Sequence, residues 1–554
     1  MTLTNDPLWY KNAIFYEVHL RSFCDSNGDG KGDLPGLTSK LDYLKELGVD
    51  CLWLLPMFPS PLKDDGYDIA DYDHIHPDYG TVEDFKTLVE QAHARGMRVI
   101  TDLVLNHTSD QHPWFSESRK SKDNPYRDYY VWSDTDQKYQ EARIIFVDTE
   151  KSNWTLDPDT GQYYWHRFYS SQPDLNYDNP VVADTMIEVM RYWMDLGIDG
   201  FRADAVPYLF ERQGTNCENL PETHAYLKRV RSVLNRDYPG AILLGEANQW
   251  PWDLRPYFGG DPDDPAAPGD EFHMAFHFPV MPRLFKALKL GDAADIIDIM
   301  AQTPAIPSNC QWCVFLRNHD ELTLEMVTPA DRELMWKLYA PHPRMPLNLG
   351  IRRRLAPLLD NERRKIEVAN SILFSLPGSP IVYYGDEIGM GDNIWLFDRN
   401  GVRTPMQWTG EAGAGFSQAD PEAFWVPLID DEEYGYRRVN VEAQRADPNS
   451  LFHTVKHMIA VRKANSVLGQ GSHQFLRTGT GAVLANLRQT ERAAIMAIQN
   501  LSDQPQTATL DLSDFAGVRP IDLLGRRPEP LLEISTVPYS ISLAPFDHFW
   551  LKLK

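Results

Sequence analysis

From Ile14 onward, short apolar runs rich in β-branched and aromatic residues alternate with longer amphipathic stretches, the pattern of successive βαβ units. Ile14 to Val18 reads as a strand, Lys40 to Leu47 has helical spacing, and Cys51 to Leu55 is a strand again. A helix follows from Thr81 to Gly96, with Thr81 as N-cap and Glu83 and Asp84 in its first turn, before the strand Arg98 to Val104. The alternation breaks after His107, where some seventy residues rich in Trp, Tyr, Asp and Ser show no sustained period until a helical run from Pro180 to Leu196. A long insert in one βα loop is usually functional, because substrate contacts are added to loops on a rigid scaffold. Gly200 to Asp204, Ala241 to Glu246, Met274 to Phe278, Trp312 to Leu316 and Ile381 to Tyr384 complete a set of about eight strands. From about Gly469 the pattern changes to short alternating runs without intervening helices, which marks a small all-β C-terminal domain.

Composition removes several classes of function. The 554 residues carry 79 acidic against 54 basic side chains, a formal net charge of -25, which repels nucleic acid and anionic membrane surfaces. The start, MTLTNDPLWYKN, lacks a basic region followed by an apolar one, and no stretch approaches the roughly 18 apolar residues of a membrane helix. Five cysteines, an odd number, favour free thiols in a reducing compartment, and the cytoplasm is the expected location. Cys310-x-x-Cys313 has redox or zinc half-site spacing but no second such pair, and it sits in an apolar strand-like run, so buried core thiols are the preferred reading. An aromatic content of 12%, with 15 Trp and 25 Tyr, suits stacking on sugar faces as well as core packing.

Several acidic and imidazole groups fall at strand C-terminal ends: Asp102 with Asn106 and His107, Asp204, Glu246, and His319 with Asp320. One acid ending a strand often only caps the next helix. The whole set at the rim where a TIM barrel assembles its active site points to catalysis.

In these positions the chain closely resembles the α-amylase superfamily, glycoside hydrolase family 13. The four motifs match as Asp102-Leu-Val-Leu-Asn106-His107, Gly200-Phe-Arg202-Ala-Asp204, Gly245-Glu246-Ala-Asn248 and Arg317-Asn318-His319-Asp320, in order and across nearly the whole chain. The resemblance implies an α/β fold: a (β/α)8 TIM barrel with a B domain inserted after the third strand and a C-terminal antiparallel β-sandwich. The expected boundaries are 1–105 and 180–465 for the barrel, with excursions at about 321–362 and 388–447, then 106–179 for the insert and 466–554 for the sandwich. By resemblance Asp204 is the nucleophile of a retaining mechanism, Glu246 the acid/base, and Asp320 the carboxylate that binds sugar hydroxyls beside the cleaved bond. Arg202, two residues before Asp204 and so on the same strand face, would hold its carboxylate ionised. His107 and His319 would hydrogen-bond the same ring. A retaining pair must lie roughly 5–5.5 Å apart.

Further motifs narrow the resemblance to exo-acting members. Asp64-Asp65-Gly66-Tyr67-Asp68 is similar to the loop in which an Asp fixes terminal hydroxyls and a Tyr stacks on the sugar, roles that fall to Asp64 and Tyr67. Arg403, in Val402-Arg-Thr-Pro-Met-Gln-Trp408, matches an arginine that pairs with the terminal glucose, and Phe146 would add a second aromatic wall. Gln172-Pro-Asp-Leu-Asn176 resembles the marker of the oligo-1,6-glucosidase-like subgroup.

For metals, Asp25-Ser-Asn27-Gly-Asp29-Gly-Lys31-Gly-Asp33 puts oxygen side chains at alternate positions with glycine at the sixth, like the start of an EF-hand loop. Gly36 stands where the twelfth-position Glu belongs, so a helix-loop-helix sensor is excluded. An Asp/Asn/Gly turn is the bland alternative. The subgroup resemblance implies a structural Ca2+ or Mg2+ there, with Asp25, Asn27, Asp29, Lys31 and Asp33 as its residues. A second structural Ca2+ is expected where insert meets barrel, through Asn106, Asp174, Glu211 and the backbone oxygens of Tyr208 and Leu209. No organic cofactor is expected.

Longer runs, Gly245-Glu-Ala-Asn-Gln-Trp-Pro251, Pro343 to Arg354 and Gly389-Met-Gly-Asp-Asn-Ile394, resemble the family members that interconvert maltose and trehalose. The last two would close over the pocket and exclude bulk water, and Asn248 is the candidate for holding released glucose. The activity expected is intramolecular transglucosylation between maltose and trehalose with minor hydrolysis to glucose; the alternative is an exo-acting α-glucosidase of the oligo-1,6-glucosidase type. Sucrose isomerases would carry an Arg-Leu-Asp-Arg-Asp run where this chain has Leu396-Phe-Asp-Arg-Asn400. Catalytically dead relatives are membrane-anchored and lack part of the carboxylate set that is complete here. The partner expected is a small disaccharide, neither nucleic acid nor membrane, with a homodimer kept open.

Overall fold

The computed structural model describes residues 3, 6–261, 264, 266–527, 530–535 and 537–554. Eight strands close into a barrel in sequential order: β1 (Phe15–Val18), β2 (Cys51–Leu54), β3 (Arg98–Val104), β4 (Gly200–Asp204), β5 (Ile242–Gly245), β6 (Met274–Phe276), β7 (Gln311–Phe315) and β8 (Ser379–Tyr383). Every pairing around the ring, including β8 with β1, is parallel. Barrel interior on one face and helices on the other leave these strands buried along nearly their whole length, which explains why they read as continuous apolar runs. The helix Val82–Ala94 starts at Thr81 as expected, in a capping box whose partner is Asp84.

Between β3 and the helix Pro180–Asp195 the long insert carries its own three-stranded antiparallel sheet, Trp132–Ser133, Gln162–Trp165 and Trp154–Asp157. A small core of Trp154, Trp165, Ala142 and Cys217 supports it, and the bridge between His107 and Asp174 ties it to the rim. After β7 a second small sheet of Leu322–Thr323, Pro346–Leu347 and Gly350–Ile351 stands over the same rim. At the C-terminus a five-stranded and a two-stranded antiparallel sheet enclose a separate core that includes Val483, Met496, Ile541 and Phe549. Arg488 seats this domain on the barrel by donating to the carbonyls of Ser375 and Leu468. All five cysteines are free and buried, and Cys310 and Cys313 lie at the edge and in the middle of β7. Among the described residues no helix is long and apolar enough to cross a membrane.

Candidate active site

β4 delivers Asp204 to the rim, and the chain then turns through Ala205, a non-glycine residue held at φ 51°. That turn points the Ala205 N–H at Glu246 Oε2, 3.2 Å away. Glu246 follows Gly245 at the end of β5, where a Cβ would fall 2.8 Å from the Phe272 ring, so only glycine fits. Arg202 lies on the same strand face as Asp204 and is 1% exposed. Its Nη1 donates to Asp204 Oδ1 at 2.5 Å and also to Asp102, while Nη2 reaches Glu246 Oε1 at 2.7 Å. The two carboxyls share one guanidinium and lie within hydrogen-bond reach of each other, without the gap of roughly 6.5–9.5 Å in which inverting enzymes place a water. The arrangement suits a retaining pair.

The same burial separates the roles. Glu246 is pushed up to about 8, chiefly by desolvation; Arg202 opposes the shift, and the charges of Asp204 and Asp320 add to it. Asp204 rises less, to about 6, because Arg202 and a hydrogen bond from Glu246 offset the same burial. Near neutral pH Glu246 keeps its proton while Asp204 is ionised, the division that an acid/base and a nucleophile require. Burial also opposes the charge of Asp320, but His319 and the guanidiniums of Arg399 and Arg403 outweigh it and hold this carboxyl below its ordinary range.

Around this centre one pocket brings together Asp64, Tyr67, His107, Phe146, Asp204, Glu246, Asn248, His319 and Asp320, all singled out from the sequence. Tyr67 and His319 stack with centroids 5.3 Å apart at 10°. His319 is oriented by Glu17, whose Oε1 lies 2.6 Å from its Nδ1, and its Nε2 stands beside Asp320 Oδ2 at 3.2 Å. Phe146 packs on Tyr169 at 4.4 Å, and burial drives His107 down to about 3, a neutral imidazole.

Arg403 is placed differently from the expectation. It is 1% exposed and lies behind Asp320, donating to the His319 carbonyl at 2.9 Å, to Asp65 Oδ2 at 3.1 Å and to Asp320 Oδ1 at 3.1 Å. The guanidinium that lines the pocket belongs to Arg399, which bridges Asp320 Oδ1 at 2.8 Å and Asp64. Asp64 also accepts from Gln172 Nε2 at 2.8 Å. Arg403 thus positions Asp320, and Arg399, which sequence reasoning passed over, lines the pocket.

Three further elements meet at the pocket mouth. Asn248 donates through Nδ2 to Thr323 Oγ1 at 3.1 Å and to Glu325 Oε2 at 3.2 Å. Arg143, from the insert, donates to the same Glu325 oxygen at 2.8 Å, to Glu218 Oε1 at 2.8 Å and to the Tyr208 hydroxyl at 3.2 Å. The insert, the loop after β5 and the excursion after β7 are thereby tied into a collar. Asn248 Oδ1, buried, has no hydrogen-bond partner among the described residues.

The two expected metal positions differ. At the junction of insert and barrel, Asn106 Oδ1, Asp174 Oδ2 and Glu211 Oε1 are all buried and unpartnered among the described residues. Burial raises Asp174 to about 8 and Glu211 well above its ordinary value, the charge of Asp174 adding to the shift of Glu211. In the loop after β1, Asp25 Oδ1 already accepts from Asn27 and Gly28, Asn27 Oδ1 from Asp29, and Asp29 Oδ1 from Lys31, while Asp33 caps the next helix through the Gly36 N–H. Among the described residues no three acid, His or Cys side chains converge as a metal cluster.

The comparisons with known proteins agree with this geometry. The α-amylase catalytic-domain family model matches residues 17–339 and 352–471, and the maltogenic amylase C-terminal domain model matches 473–550. The unmatched 340–351 fall in the excursion after β7. The chain is 56% identical to the trehalose synthase/amylase TreS of Mycolicibacterium smegmatis over all of this chain and 94% of that protein. It is also 56% identical to the trehalose synthase of a Pimelobacter species, over all of this chain and 97% of that protein. The crystal structure of the trehalulose synthase MutB from Pseudomonas mesoacidophila superposes with a TM-score of 0.78 at 28% identity, covering 98% of this chain and 99% of that one. A set of rim carboxylates on a parallel barrel, with full-length likeness of this degree, makes the chain an enzyme of the α-amylase family that belongs, within it, with the trehalose synthases.

Proposed function

We propose that the enzyme interconverts maltose and trehalose by intramolecular transglucosylation, with minor hydrolysis. The collar at the pocket mouth carries the reading: Arg143, Asn248 and Glu325 join three separate loops over the reacting centre. In the first step Asp204 attacks the anomeric carbon of the terminal glucosyl unit, the glycosidic C–O bond breaks, and Glu246 gives its proton to the departing O4 of glucose. The glucosyl ester on Asp204 is held by Asp64, Arg399, His319 and Asp320. The freed glucose turns within the collar, with the unpaired Asn248 Oδ1 as its acceptor. Its anomeric hydroxyl then attacks the ester while Glu246 recovers the proton, and two inversions give the α,α-1,1 product. Water in the same place gives glucose. Incubation with maltose and resolution of the products tests the reading: trehalose should accumulate ahead of glucose, whereas glucose without trehalose at any time refutes it.

A structural divalent cation is proposed at Asn106, Asp174 and Glu211, with the carbonyls of Tyr208 and Leu209 in the turn just before Glu211. The three unpartnered buried oxygens support it, because a cation would satisfy the oxygens and allow both carboxyls to ionise. A second cation at Asp25, Asn27, Asp29, Lys31 and Asp33 is proposed from the sequence pattern, supported by the left-handed Gly28 and Gly30 that curl the loop. Five free, buried thiols support a reducing, cytoplasmic setting.

A further inference from the structure

A second cleft, of about 490 Å³, lies where the loop at 70–73, the start of the insert and the outer face of the helix Pro180–Asp195 meet. Its size falls within the roughly 300–1,000 Å³ of small-molecule sites, and it shares no lining residue with the catalytic pocket. Four rings line it: Tyr72 and His112, each 4% exposed, Trp114, and Tyr192, which is 36% exposed. Trp114 lies 6.0 Å from Tyr72 at 30° and 4.3 Å from His112, so these three rings are continuous, with Tyr192 across the cleft on the helix.

The hydrogen-bonding inventory is specific. His112 Nδ1 accepts the Trp114 backbone N–H at 3.1 Å, so the proton of the neutral ring sits on Nε2, which has no hydrogen-bond partner among the described residues. Burial lowers this imidazole to about 4, so it stays neutral at physiological pH. The cleft therefore offers an uncharged N–H donor beside three carboxylate acceptors, Asp71, Asp73 and Glu188. Glu188 is ion-paired with Arg191 at 2.5 Å, and His74 Nδ1 lies 2.8 Å from Asp71 Oδ2. The carboxylates repel anions, and a donor N–H set beside them suits a ligand that carries both donors and acceptors. Apolar ring faces with interleaved donors and acceptors match a neutral polyhydroxylated ring.

We propose that this cleft is a second saccharide-binding site, taking a short neutral glucan independently of the catalytic pocket and of the reaction that runs there. The full-length Asp204→Asn chain, titrated calorimetrically with maltoheptaose, tests it. Binding should be measurable and should weaken about tenfold or more in the Tyr192→Ala and Trp114→Ala versions, the loss of one stacking ring. Tyr192→Ala in the otherwise native chain should leave maltose turnover unchanged. Tyr192 and Thr185 stand on the outer helix face, so Tyr192→Ala and the cleft-filling Thr185→Arg keep the test decisive if Trp114→Ala fails to fold. Absence of maltoheptaose binding, or binding that Tyr192→Ala and Thr185→Arg leave intact, overturns the proposal.

Discussion

Replacing Asn248 by Ala separates the enclosure from the chemistry, because the side chain touches the collar and not the catalytic carboxyls. Two hydrogen bonds disappear, one to the Thr323 hydroxyl at 3.1 Å and one to the Glu325 carboxylate at 3.2 Å. The unpaired Oδ1 that is proposed to hold the free glucose goes with them. A bond to a charged group contributes about 1.5–3 kcal/mol. If that contribution favours retained glucose over entering water, the ratio of trehalose to glucose formed from maltose should fall about 10–150-fold. Ester formation should persist, since Arg202, Asp204 and Glu246 keep their contacts with one another. Initial rates of both products, resolved by anion-exchange chromatography, measure the ratio directly. A ratio within twofold of the unmodified enzyme, at comparable maltose consumption, would refute the idea that the collar decides between transfer and hydrolysis.

Other consequences follow from the same geometry. The Asp204→Asn change should lower both transfer and hydrolysis by about 10⁴-fold or more, as for loss of a covalent nucleophile; retained turnover of either would displace Asp204 from its role. The profile of kcat/KM against pH should rise through about 6 as Asp204 ionises and fall through about 8 as Glu246 loses its proton; a flat profile well above pH 8 contradicts the Glu246 assignment. Arg399→Lys cannot span Asp64 and Asp320 with one planar fork, so KM for maltose should rise about tenfold or more, whereas an unchanged KM would remove Arg399 from the sugar site. The cation proposed at Asp174 and Glu211 should stabilise the fold by about 2.7 kcal/mol at a hundredfold excess over its dissociation constant. Because Asp174 and Glu211 are raised without it, its affinity should increase with pH up to about 8 or beyond; unfolding that ignores both chelator and added Ca2+ rules it out.

The barrel was legible because its signal is local. Each strand is a short apolar run, each of β3, β4, β5 and β7 ends at or just before a motif residue, and Thr81 with Asp84 announces a helix start within four positions. Asp204, Glu246 and Asp320 inherit that clarity, since strand ends fix where their side chains go. Arg399 was missed for the opposite reason. Its direction depends on Asp398 in a left-handed conformation at φ 49° and on Arg352, which grips the carbonyls of Leu396 and Asp398 from a different excursion. Neither influence is written in the residues around position 399, whereas Arg403 sat in a motif that drew attention to itself. The Arg143 to Glu325 pair lies 182 residues apart along the chain, between two aperiodic loops, and only the fold brings it together. An insert arginine three residues before the pocket-lining Phe146 was the one local hint.

Isotope transfer tests most directly whether the glucose released in the pocket is the glucose that returns to the ester. Unlabelled maltose is turned over in the presence of an excess of uniformly ¹³C-labelled free glucose, and the trehalose formed is weighed by mass spectrometry before appreciable conversion. Enclosure by the collar predicts trehalose essentially free of label at the earliest times. Label entering one ring of trehalose in proportion to the free glucose present would show that the acceptor comes from bulk solution, and would contradict intramolecular transfer.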